Sequence, residues 1–305
     1  MMNILHLFCP PAMAHPGEAV VSPSVSAAVW WEWRMEWVLL FILLFVGALY
    51  FRWYTEARRA QTKALSWKHL ALFWGALATI YVGAASPIDS IGETYLFSMH
   101  MVQHNLFMYL VPWLMLAGIP EWMASYWLKK SGPLGELAYR FVSHPIPACL
   151  VFNLIFTLWH IPFLYDWALK DRMVHNLEHF TMITTSIFLW LPLWSPLKER
   201  RPVYPLQMLY LIAVAIAQLP VFAYVTFSKS VLYPTYANAP RLTTLTAHAD
   251  QQLGGVIMKI TAMLVLFVAF TGVFMAWYEQ QKQADRLRDE KNAQQNALKA
   301  ANAAS

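Results

Sequence analysis

Six of the ten histidines in this chain stand in a pattern suited to holding a metal ion. His100 and His104 are four residues apart, as are His175 and His179. On a helix that spacing puts both side chains on one face, about 6 Å apart along the axis, so two imidazoles a turn apart can share one ion. Glu178 adjoins His179 and lies three residues after His175, within reach of the same face. The string His175-Asn176-Leu177-Glu178-His179 has the letters HxxEH of some zinc peptidases, a weak signal alone because five letters recur by chance. His160 and His248 add two imidazoles, and Asp250, Gln251 and Gln252 follow His248 closely. Imidazole suits copper, zinc and iron, while a carboxylate completes the shell or acts as a base.

The elements that must position these residues are apolar. Of 305 residues, 58% are hydrophobic and only 13% charged, about half the usual charged share. That composition excludes a disordered chain and argues against a soluble globular domain. The two cysteines, Cys9 and Cys149, form neither a disulfide framework nor a CxxC motif. Seven stretches approach the roughly 20 apolar residues that cross a bilayer. They run Glu36–Tyr54, Trp67–Ser86, Phe97–Gly118, Ile146–Tyr165, Leu177–Trp194, Pro205–Val225 and Val256–Tyr278. The expected fold is an all-α, polytopic membrane protein: a seven-helix transmembrane bundle over residues 36–278, with an external arm before it (residues 1–35) and a polar tail after it (residues 279–305).

Positive charge sets the expected topology. The segments after stretches one, three, five and seven hold 16 of the 22 Lys and Arg residues; the other side holds Arg34, Lys170, Arg172, Lys229, Arg241 and Lys259. Basic residues stay in the cytoplasm, so the N-terminus is expected outside and the C-terminus inside, and the net charge of +5 reflects loops rather than nucleic-acid binding. At the N-terminus, the apolar run Ile4–Cys9 and the small-x-small pattern Ala12-Met13-Ala14 suggest a signal peptide over residues 1–14, but no Lys or Arg precedes the run. The alternative is an uncut outside arm.

In this topology six histidines share one depth. His100 and His104 open the third stretch, His160 closes the fourth, His175 and His179 lead into the fifth, and His248 precedes the seventh. A single histidine there is most simply a hydrogen-bonding residue at the interface. Six from four separate outer ends are better explained by a cavity, a relay or a metal site, because ionisable groups in a bilayer are costly. His100, His104, His160, His175 and His179 are therefore expected to converge in one pocket. Gln103 and Gln251 are expected to hydrogen-bond imidazole N–H groups there.

Four ordered strings carry a family resemblance: Met99-His100-Met101-Val102-Gln103-His104, Trp159-His160-Ile161-Pro162, His175-Asn176-Leu177-Glu178-His179 and Asp250-Gln251-Gln252-Leu253-Gly254-Gly255. Over about residues 30–280 the chain resembles the multi-span cytochrome c oxidase assembly factors of the CtaG family, caa(3) type. The resemblance implies a multi-pass protein of the cell inner membrane that serves maturation of a haem-copper oxidase through copper handling. The family motifs fall on His100, Gln103, His104, His160, His175, Glu178, His179, Asp250 and Gln251; His248 joins by position alone.

The expected function is copper binding and delivery, with His100, His104, His160, His175, Glu178, His179, His248 and Asp250 as candidate metal residues. Zinc, iron and haem are the alternatives to copper. The expected partners are membrane lipid, haem-copper oxidase subunits and copper carrier proteins, with no nucleic acid. A non-enzymatic role is favoured. Its rivals are a metalloenzyme with Glu178 as general base, a b-type haem protein with His104 and His179 as axial ligands, and a metal-free assembly scaffold.

Overall fold

The structure is a computed structural model that describes residues 29–304. The suggested signal peptide and most of the external arm lie outside the described residues. Among the described residues every regular element is helical.

The chain opens with α1 (Trp37–Ala60), α2 (Trp67–Ala85) and the short α3 (Pro87–Thr94). It continues through α4 (Phe97–Asn105), a π-helical turn (Leu106–Leu110) and α5 (Val111–Gly118), then α6 (Glu121–Lys130) and α7 (Gly132–Ser143). Next come α8 (Pro145–Trp159), α9 (Pro162–Lys170) and α10 (Arg172–Trp194). The last elements are α11 (Tyr204–Ala217), α12 (Leu219–Thr226), α13 (Pro234–Asn238) and α14 (Ala247–Ala304). The polar tail is thus a continuation of the last apolar helix.

Three helical segments are long and apolar enough to cross a membrane: α1, α11 with α12, and α14. Three bent pairs raise the candidates to six: α2 with α3 at 45°, α4–α5 with α6 at 81°, and α7 with α8 at 69°. The 23-residue α10 is not among them, although Leu177–Trp194 is one of the seven apolar stretches. Its His175, Glu178, His179, Thr185 and Ser186 lower its hydropathy, yet all five are buried inside the protein. A hydropathy average treats such residues as if they faced lipid. Conversely, α1 exposes Val38, Phe41, Ile42 and Phe45, the pattern of a helix with bilayer on one side.

Local chemistry explains where the helices that matter begin. Ser86 accepts a hydrogen bond from the Ile88 amide and Pro87 occupies the first turn, so α3 starts immediately after α2 ends. Asp171 accepts from the Met173 and Val174 amides, which starts α10 five residues before its apolar stretch and puts His175 on the helix. Pro162 follows the end of α8 and divides the fourth apolar stretch at His160. In the π-helical turn, Trp190 Nε1 donates to the Met108 carbonyl at 2.9 Å and ties the turn to α10.

Two cores flank the histidines. One packs Phe97, Met101, Phe152, Phe156, Met182 and Trp190 with Tyr165, Tyr233 and Tyr236. The other packs Tyr50, Tyr54, Phe73 and Leu77 with Phe107 and Val111. The segment from α4 to α5 contributes to both, so its polar face lies at the seam.

Candidate metal centre

α4 and α10 bring the two histidine pairs face to face. His100 Nε2 lies 2.7 Å from His104 Nε2, and Glu178 Oε1 from α10 lies 3.5 Å from His104 Nε2 and 4.0 Å from His100 Nε2. The His175 and His179 rings are 4.1 Å apart, and the His104 and His179 rings 5.7 Å. Ligand atoms of His100, His104 and His179 lie within 4.8 Å of one another, as do those of His100, His175 and Glu178. None of these five residues is more than 8% exposed.

His160 borders the group from the break after α8, its ring 6.3 Å from that of His104. Its Nδ1 faces the Phe156 carbonyl at 2.6 Å and so carries the proton, leaving Nε2 with a free lone pair. His175 is held in the same manner: Nδ1 faces Glu93 Oε1 at 2.6 Å. Histidines that bind metals are oriented in this way, donating one ring N–H to a carboxylate or carbonyl while the other nitrogen ligates.

The group fits a cation. His104 Nδ1, Nε2 of His160, His175 and His179, and both Glu178 oxygens are buried without a hydrogen-bond partner. Orphaned buried polar atoms are rare, and a buried carboxylate with no donor is especially costly. A metal ion placed among these atoms would satisfy several of them at once.

The sequence profile of the cytochrome c oxidase caa3 assembly factors (Caa3_CtaG) matches residues 48–280. The chain belongs to this family. No curated protein and no solved structure matches it. The matched region of this caa3 assembly factor contains the whole histidine group.

The structure does not bring every sequence-selected residue of the assembly factor into that group. His248 Nε2 is engaged 2.8 Å from the Ser228 carbonyl. Asp250 accepts from the Phe97 amide at 2.7 Å and from the Ser98 hydroxyl. It thereby caps the N-terminus of α4, whose adjoining residue Leu96 has no side chain able to do so. Gln103 donates to Asp89 Oδ1 at 2.6 Å and to the Gly83 carbonyl at 2.9 Å, and Gln251 bonds the Leu232 amide and Val225 carbonyl. Neither glutamine touches an imidazole, contrary to expectation, because each satisfies backbone left open at a helix end. Phe97 Cδ1 and Ser98 Cα lie 2.3 and 3.1 Å from where a Cβ on Gly254 would be, so that glycine lets α14 approach α4.

Two acidic residues of the group escaped the sequence reading. Asp89 and Glu93 lie on α3, and ligand atoms of Asp89, His175 and His179 are within 4.8 Å of one another. Their signal was the four-residue spacing directly after the cap-and-proline pair Ser86-Pro87.

Proposed function

We propose that this protein binds copper as cargo and delivers it during assembly of a haem-copper cytochrome c oxidase. His100, His104 and His179 hold the ion, and His175, Glu178 and His160 stand close enough to join the shell. The carrying observation is the set of partnerless ligand atoms on buried imidazoles, together with family membership.

The proposed setting is a seven-span bundle in the cell inner membrane, α10 supplying the span that hydropathy alone does not count. Ion pairs support the alternating topology. Glu56 in the last turns of α1 meets Lys130 at 2.5 Å, and Glu136 on α7 meets Arg200 after α10 at 2.6 Å, so the basic connections gather at one end. Arg34 before α1 meets Glu93, and Glu36 meets Arg172 at the start of α10, which gathers the opposite ends. The first end is assigned to the cytoplasm by its positive charge. Reporter fusions in the Lys129–Arg140 loop and the tail should both report inside. The partners are subunits of the oxidase and, upstream, copper carrier proteins.

The function is tested by His104→Ala and His179→Ala. Each should lower copper content and oxidase activity while the protein stays in the membrane, since the apolar helices rather than the ion support the fold. Normal copper content and normal oxidase assembly in both would leave only a scaffold role. Glu178, with both oxygens free, also suits a base beside a metal. Glu178→Gln separates the two roles: weakened copper binding with residual assembly supports cargo binding, whereas full copper content with no function indicates an enzyme.

A further inference from the structure

Among the described residues around the histidine group, Glu93 is the one that reaches toward the surface. The Glu93 side chain is 25% exposed, whereas Asp89, His175, His179, His100, His104 and Glu178 are each at most 8% exposed. One Glu93 oxygen receives His175 Nδ1 at 2.6 Å, and the other lies 3.5 Å from Arg34 Nη1. Because a carboxylate facing that nitrogen requires the proton on Nδ1, His175 turns a free Nε2 toward the interior, where it has no partner. Asp89 is oriented by Gln103 and completes a ligand triplet with His175 and His179.

We infer that Asp89, His175 and His179 form a second ion position, reached through Glu93, from which copper steps to the deeper position of His100, His104 and His179. This inference rests on the copper reading of the deeper set. His179 belongs to both triplets, and His175 also belongs to the one containing His100 and Glu178. An ion can therefore exchange ligands singly while a shared imidazole keeps hold of it. It is never stripped bare in a medium where an unpaired charge costs several kcal/mol. The ligand types give direction. The surface-proximal triplet includes a carboxylate and the deeper one is all imidazole, and a softer cation favours nitrogen over oxygen. The step transfers an intact ion, with no change in its oxidation state and no covalent chemistry on the protein.

The test is the rate at which the full-length protein in detergent withdraws copper(I) from a coloured chelator under reducing conditions, followed by absorbance to completion. Asp89→Asn and Glu93→Gln should load about tenfold or more slowly, on the 10–100-fold scale of removing a group that supports a metal ligand, yet approach the wild-type copper content at equilibrium. That final content also shows that the deeper set has folded. Glu93→Asp, which keeps the carboxylate, should recover part of the rate. Wild-type loading rates in both Asp89→Asn and Glu93→Gln would overturn the two-position path and leave the deeper site intact. Failure of the wild-type protein itself to take copper would overturn the copper reading and the path with it.

Discussion

Gly92 is where a single methyl group should reach the metal site by pushing on the backbone of a ligand residue. It lies on α3 against α4, and a Cβ built on it would sit 3.0 Å from both the backbone nitrogen and Cα of His100. The two nearest obstacles are backbone and the third is the His100 Cβ at 3.3 Å, none of which can rotate away, so α3 and α4 must part by a few tenths of an ångström. The Gly92 carbonyl is also fixed by the Tyr236 hydroxyl at 2.6 Å, which resists a tilt of α3. The displacement separates Asp89 and Glu93 on one helix from His100 and His104 on the other. Such constellations tolerate about 0.5 Å of error. Gly92→Ala should therefore weaken copper binding about 10–100-fold, on the scale of lost ligand support, which is about 1.4–2.8 kcal/mol. Overpacking should cost about 1–3 kcal/mol of stability. The assay is competition against a copper(I) chelator with the variant in detergent. Gly75→Ala is the control: nothing lies within 4 Å of a Cβ there, so copper affinity should not change. Wild-type affinity in Gly92→Ala would refute the claim that the approach of α3 to α4 sets the site.

Asp250→Ala should cost about 1–2 kcal/mol through loss of the α4 cap and weaken copper binding, whereas Asp250→Asn, which can still accept from the Phe97 amide, should retain most of it; chelator competition and thermal unfolding in detergent read both. His248→Ala should leave copper affinity within about twofold, because its ring is engaged by the Ser228 carbonyl rather than by the histidine group. Copper binding should weaken as the medium becomes acidic, because each ligand imidazole must lose its proton to bind; a pH titration of copper retention should show affinity rising with pH.

The histidine pairs were legible because helical spacing is local: residues four apart share a face whatever surrounds them. The apolar stretches were legible for a similar reason, and each of the seven falls mostly on helix, the fourth broken at His160 and the sixth at Gln218, although α10 looks less like a membrane span once its buried polar face is averaged in. What the sequence hid is what depends on distant partners. Asp250 reads as one more ligand beside His248 until α14 places it on the Phe97 amide, 153 residues away. Asp89 and Glu93 read as part of a connection until α3 folds back beside His175. The π-helical turn owes its anchoring to Trp190, 82 residues from the carbonyl it bonds, and no local pattern announces it.

The most direct test of the copper reading is the copper-to-protein ratio of the purified, copper-loaded protein, measured beside a His100→Ala, His104→Ala double variant of equal membrane yield. The account expects the wild-type chain to retain at least one ion after removal of loosely bound metal and the double variant to retain almost none. Equal ratios in the two proteins, whether both loaded or both empty, would contradict it.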